Sequence, residues 1–174
     1  SLSGFGNIAF GAGEYKDIGD GLPLNSGSYR IDQTINTNSA LTQTAINGWV
    51  ATGGGDTPEQ ALSSLQTASG SSTGWRDGSK KIIVLTGDAP AHDVAHPTPA
   101  IAGTTTTNTG PALGAAGVNL EAANVGDLNG FAQFSGADSV YAHGATGTYF
   151  VSLNPANLVT DIIAAIGSAF ANYN

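Results

Sequence analysis

The chain has 174 residues, 40% of them hydrophobic, which fits one folded domain with a sizeable core rather than a disordered polymer. Only 10% of residues are charged, well below the usual share, and thirteen acidic residues outweigh five basic ones for a net charge of −8. Too few cations are present to build a basic stripe for nucleic acid. The absence of cysteine excludes disulfides and thiolate chemistry, and no apolar run approaches the ~20 residues of a membrane span.

The polar surface must be carried by Thr, Ser, Asn and Gly, and its acidity suits cations better than anions. Low charge without cysteine suits an extracellular protein, although a cytosolic one could share this composition. Methionine is absent even at position 1, so the chain is expected to start at a processed or trimmed end.

In chain order, residues 7–15 read as a strand with small residues that let neighbouring backbone approach. Residues 17–37 are rich in Gly, Asn and Asp and read as a long loop. Ser39 is placed to cap a helix reaching about Trp49, with Leu41, Ala45, Ile46 and Trp49 at helical spacing. Thr57-Pro-Glu-Gln60 reads as a helix start, with Thr57 as N-cap, Pro58 in the first helical position and Gln60 closing a capping box. That helix should bury Ala61, Leu62 and Leu65. The run from Lys81 to Thr86 reads as a parallel strand covered on both faces. A short helix is expected over 111–116, after a threonine-rich stretch, followed by strands over 118–125 and 148–153. The last element, from Asn154 to Phe170, carries Leu158, Ile162, Ile166 and Phe170 on one helical face. Strands alternating with helices predict a single α/β domain over 1–174, a doubly wound and mostly parallel sheet with helices on both faces. Such sheets hold their ligands at the C-terminal ends of the strands.

Asp88 follows the Lys81 strand, Asp56 and Glu59 flank the start of a helix, and Asp17 lies just past the first strand, so all four acids are expected on that rim. Crowded carboxylates repel unless a cation sits between them, and oxygen-only ligands select Mg²⁺, Ca²⁺ or Mn²⁺. The plainer alternative is that Asp56 and Glu59 complement the helix dipole and Asp88 caps a turn. His92 and His96 stand four apart, but the segment between them lacks the glutamate of a zinc-protease helix and prolines interrupt it. His92 is expected to pack or hydrogen-bond beside the Asp88 loop, and His143 to lie in an exposed loop. Trp75 is expected to anchor the turn before the Lys81 strand. No serine stands in G-x-S-x-G context and no nucleophile is matched to a base, so an enzyme is not expected.

Gly53-Gly-Gly-Asp-Thr-Pro-Glu59, Gly74-Trp-Arg76, the apolar strand and then Thr86-Gly-Asp-Ala-Pro-Ala-His92 together resemble the von Willebrand factor A domain. The likeness is greatest to the integrin β-subunit I-like branch and its bacterial extracellular relatives, and Phe10-Gly-Ala-Gly-Glu-Tyr-Lys-Asp17 is similar to that branch's second strand. The resemblance implies a non-catalytic adhesion module in which Mg²⁺ bridges to a partner's carboxylate. It implies Asp88 as a water-mediated acidic ligand and Glu59 as a direct one. Asp56, Asp17 and the Pro58 carbonyl would form an adjacent Ca²⁺ site, with Thr57 standing in for a threonine ligand and His92 beside the bound partner group. The family's Asp-x-Ser-x-Ser motif, the strand before it and the helix after it have no counterpart in these residues. That strand is central to the family's sheet, so unpaired edges are expected. Either a preceding segment, another chain or a rearranged fold must deal with them. A second expectation follows: a structural subunit of a surface filament or sheath, its sheet completed by identical neighbouring subunits.

Overall fold

The structure is a computed structural model that describes residues 6–17, 29–50, 58–93, 103–126 and 131–172. Strands β1 (Phe10–Tyr15) and β2 (Tyr29–Asn36) form an antiparallel pair, with Tyr15 opposite Tyr29 and Glu14 opposite Arg30. Helices α1 (Ser39–Asn47) and α2 (Ala61–Ala68) and a single 3₁₀ turn (Ser71–Thr73) lead into β3 (Lys81–Gly87). The order then runs α3 (Thr106–Ala115), β4 (Val118–Asn124), α4 (Ala132–Ser135), β5 (Thr146–Val151) and α5 (Pro155–Asn172). Strands β3, β4 and β5 make a parallel sheet in sequence order. The protein is therefore α/β, a three-stranded parallel sheet flanked by helices with a small antiparallel pair beside it.

β4 lies in the middle of this sheet and is buried at all seven positions. Val118, Leu120 and Ala122 face one side and pack with Leu85 of β3, Leu62 and Leu65 of α2 and Leu113 of α3. Each fully buried Leu contributes roughly 1.5–3 kcal/mol. The opposite face is covered by α5, whose contacts run to β3 and β4. β4 is thus covered on both faces, whereas β3, expected to be so covered, is only partly buried, with Leu85 its one fully buried residue.

Five sequence expectations need correction. The stretch 17–37 is not all loop: 29–36 forms β2, whose alternation of Tyr29, Ile31, Gln33 and Ile35 with polar neighbours is a strand pattern hidden in a polar segment. Arg30 fixes it by pairing with Glu14 across the ladder and with Asp32 on its own strand. Residues 18–28 lie outside the described residues.

Helix α1 is capped by Asn38, whose Oδ1 accepts from the Ala40 amide at 3.2 Å, and not by Ser39. It buries Thr42, whose hydroxyl donates to the Phe10 carbonyl at 3.2 Å, and leaves Leu41, Ile46 and Trp49 exposed. Helix α2 starts at Ala61, because Glu59 is held extended. The Glu59 amide donates to the Pro90 carbonyl at 2.9 Å and the His92 amide donates to the Glu59 carbonyl at 2.8 Å. Pro58 thus precedes the helix, and Gln60, at its N-cap, makes no side-chain capping bond. Ala61, Leu62 and Leu65 are buried as expected.

Helix α3 begins five residues before the expected start at Pro111, inside the threonine run. There Thr105 and Asn108 form a reciprocal capping box. Pro111 is tolerated on an exposed position of the helix. β5 lies two residues upstream of its expected span.

Among the described residues the two sheets do not join. Arg76 Nη2 donates to the Asn7 carbonyl at 2.8 Å at one end, and the Tyr15 hydroxyl donates to the Thr86 carbonyl at 3.1 Å at the other. β1 and β3 therefore run in the same direction, side by side but unpaired, with a cavity of ≈ 1220 Å³ along them.

Candidate functional site

The C-terminal end of β3 gathers most of the described residues singled out from the sequence. Asp17, two residues past β1, is 4% exposed, and its Oδ2 accepts from His92 Nε2 at 3.1 Å. An ionised carboxylate only accepts, so this bond places a proton on Nε2. His92 is itself buried and belongs to the loop after β3, so the pair ties the end of β1 to that loop. Glu59 is tied to the same loop by its two backbone bonds to Pro90 and His92. Ala91, between them, donates its amide to Gln133 Oε1 at 2.9 Å, which anchors the loop to α4.

Asp88 projects from the first turn after β3 and is exposed. The chain after β4 passes so close that a Cβ at Gly126 would lie 3.0 Å from the Asp88 Cα and closer still to its Cβ. The glycine lets the loop hold Asp88 in place. Between the acids stands Tyr15. Its phenol is pushed well above the ordinary 10.0, first by burial, then by the negative charge of Glu59 and of Asp88. Two carboxylates from separate loops thus act on one half-buried tyrosine.

Pro58 is buried next to Glu59. Asp56 and Thr57 lie outside the described residues, so the expected Ca²⁺ set is represented only by Asp17 and Pro58. Among the described residues no group of three or more His, Cys, Asp or Glu is close enough to hold a metal ion. Asp17 is turned into the fold toward His92, whereas Asp88 is exposed, and this separates the acids that the sequence reading put together. His143 bonds Asp138 at 2.5 Å in a surface turn. Trp75 anchors its turn by donating from Nε1 to the Ala68 carbonyl at 2.9 Å.

Sequence reasoning overlooked Tyr15, Gly126 and Gln133, none of which stands in a recognisable acidic motif. It also overlooked Glu121, 1% exposed in the centre of β4, whose carboxylate accepts from Asn119 Nδ2 and the Thr148 hydroxyl. Desolvation raises its pKa above the usual 4.5, against the opposing pull of those two donors. A carboxyl with a raised folded pKa binds its proton more tightly in the native state. Its penalty is absent below about 4.5 and grows as pH rises through the folded value. Glu121→Gln is therefore expected to be more stable than the parent at neutral pH, the difference closing as pH falls below 4.5. Urea unfolding of both proteins at several pH values measures this. A variant less stable than the parent at pH 7 would contradict it.

No protein-family model matches the chain, and no curated protein matches it either. Among the described residues no helix is long and apolar enough to cross a membrane.

Proposed function

We propose that the chain is a non-catalytic extracellular recognition domain of the von Willebrand factor A type, nearest the integrin β-subunit I-like branch. In this reading its acidic rim takes a hard divalent cation, Mg²⁺ with a neighbouring Ca²⁺, that bridges to a carboxylate on a protein partner. The observation that carries it is that Glu59, bridged to Ala91, and Asp88, on the same loop, both stand at the C-terminal end of a parallel strand. Like charges brought together there favour a cation between them. The exposed Asp88 gives such a cation access to a partner, and the buried Asp17–His92 pair holds the loop that carries it. The reading is non-catalytic because His92, the one histidine at the rim among the described residues, has its Nε2 engaged by Asp17 inside the fold.

Titrating Mg²⁺ and Ca²⁺ by calorimetry into the parent and into Asp88→Ala tests this. Saturable binding, reversed by chelator and weakened about tenfold or more in the variant, is the expected outcome. A parent that binds neither ion, or a variant that binds as well as the parent, would refute it.

A second reading, a structural subunit of a surface filament or sheath, is favoured by one feature: the cavity between β1 and β3. A chain whose sheet is interrupted there is suited to completion by a neighbour.

A further inference from the structure

We infer that helix α5 is a pH-sensitive cover over the middle of the parallel sheet: it lies closed on Glu121 while that side chain carries its proton, and it opens locally more readily once the carboxylate is ionised. The inference depends neither on cation binding nor on assembly between chains.

Glu121 stands at the centre of β4, with Val84 of β3 opposite on one side and Thr148 of β5 on the other. Alternation along β4 puts Val118, Leu120 and Ala122 in the apolar core with α2 and α3. Asn119 and Glu121 therefore point to the other face, the one that α5 covers. The two donors to the carboxylate, Asn119 Nδ2 and the Thr148 hydroxyl, lie on that same face. The helix crosses it antiparallel to the strands. In its second turn Asp161 accepts from the Ser152 hydroxyl at 2.7 Å, and the Ser152 amide donates to the carbonyl of Asn124, the last residue of β4, at 2.9 Å. Near its end the Phe170 carbonyl accepts from Lys80, just before β3, at 3.3 Å. The turns of α5 between Asp161 and Phe170 thus pass over Glu121.

Among the described residues no cation bonds this carboxylate. α5 carries one charged side chain, Asp161, which is negative and tied to Ser152. β3 carries only Lys81, whose Nζ donates to the Ala116 carbonyl after α3, on the opposite face, and Lys80 is held at Phe170. β5 offers Tyr149, whose hydroxyl accepts from Asn124 Nδ2. The segment before β5 offers Tyr141, whose hydroxyl donates to the Leu120 and Thr148 carbonyls. That phenol is pushed up first by burial and then by the charge of Glu121. Two neutral donors are all that the ionised form of Glu121 has, at 1% exposure. Burial on those terms favours the protonated carboxyl, in keeping with a pKa raised above the usual 4.5 by desolvation against the pull of both donors.

Lifting α5 is the low-energy way to bring water to this group. β4 is buried at all seven positions and bonded to a strand on each side. α5 is held more lightly: Ala169 is its one fully buried residue, Leu158, Ile162 and Ile166 are half-buried, and Val159 is 66% exposed. Opening hydrates the carboxylate and leaves the strand ladders intact. Hydration lowers the free energy of the ionised form far more than that of the neutral one, so ionisation and opening favour each other. The closed state holds the proton more tightly, so closure is tightest below about 4.5 and loosens as pH rises through the closed-state value.

Amide hydrogen exchange of the unmodified chain, corrected for intrinsic chemistry, tests this from about pH 5 to about pH 8. Protection over this range should fall at least about fivefold more along α5 than along α3, which lies on the opposite face. Glu121→Gln, neutral at every pH, should keep α5 at its low-pH protection throughout. Thr148→Val removes a donor that favours the ionised form, so the loss of protection should move to higher pH. Protection of α5 that does not change with pH, or a Gln variant with the parent's pH dependence, would overturn the inference. An equal change in α3 and α5 would do so too, because Glu121 would then act only on the fold as a whole. Should Glu121→Gln fail to fold, the Thr148→Val variant decides, and a shift to lower pH or none at all overturns the inference.

Discussion

His92→Ala should be among the most destabilising single substitutions at the rim, costing about 3 kcal/mol. Both members of the Asp17–His92 pair are buried, with side chains 5% and 0% exposed, and the bond between them is 3.1 Å long. Removing the imidazole takes the Nε2 donor from a buried carboxylate, and a buried carboxylate that loses such a hydrogen bond costs more than the pair itself contributed. It also leaves a cavity between the end of β1 and the loop after β3. Urea unfolding measures the loss, and a double-mutant cycle assigns it. Asp17→Asn should cost much less in the His92→Ala background than in the parent, because the bond between the two side chains is already gone. Equal costs in the two backgrounds, or a total loss below about 1 kcal/mol, would show that the pair does not hold the loop. The consequence for function is specific. Glu59 and the Asp88 turn are tied to this same loop through the Pro90 and His92 backbone. Loosening it should therefore disturb both rim acids without touching either one.

The elements that were legible from sequence are those whose signal is local and apolar. The continuous run of β3 and the four-residue spacing of Leu158, Ile162, Ile166 and Phe170 each specify their element regardless of what lies nearby. The misread elements are those decided by contacts far along the chain. β2 reads as loop because its residues are mostly polar, yet pairing with β1 and the Arg30 ion pairs make it a strand. Thr57-Pro-Glu-Gln60 has the composition of a helix start, but Glu59 is claimed by backbone bonds to a loop some thirty residues later, which delays the helix to Ala61. The threonine run looked structureless because β-branched residues are poor helix formers, and the Thr105–Asn108 capping box outweighs that tendency.

The site divides in the same way. That Asp17, Glu59, Asp88 and His92 share one end of the sheet follows from placing each just beyond or beside a parallel strand. Which of them face solvent does not follow. Sequence spacing carries no information on whether Asp17 turns inward to His92 or outward beside Asp88, and that choice separates a structural pair from an exposed acid. Tyr15 was missed for a related reason: a tyrosine at the end of a strand is unremarkable until two acids from other loops are brought against it.

Gly87→Ala is expected to destabilise the fold by about 2 kcal/mol and to release Tyr15. A Cβ at this position would lie 2.6 Å from the Phe131 ring and closer still to the Tyr15 hydroxyl. Neither neighbour yields easily. Phe131 is fully buried, with its ring 4.8 Å from that of Phe134, and Tyr15 is held by its bond to the Thr86 carbonyl. The tyrosine is the more easily displaced of the two, because moving it sacrifices one hydrogen bond, worth about 1 kcal/mol, whereas moving Phe131 opens the core. The variant should therefore ionise Tyr15 nearer the ordinary 10.0, since burial is the first cause of its raised pKa and the fields of Glu59 and Asp88 weaken with distance. Alkaline titration of phenolate absorbance, compared with Tyr15→Phe to assign the signal, measures that shift. Urea unfolding measures the stability. Tyr15→Phe combined with Gly87→Ala should be less destabilised than the two single losses summed, because the hydroxyl that meets the new methyl is already gone. Additive losses would place the strain on Phe131 instead. Tyr15 would then be a fixed part of the core, held on the Thr86 carbonyl.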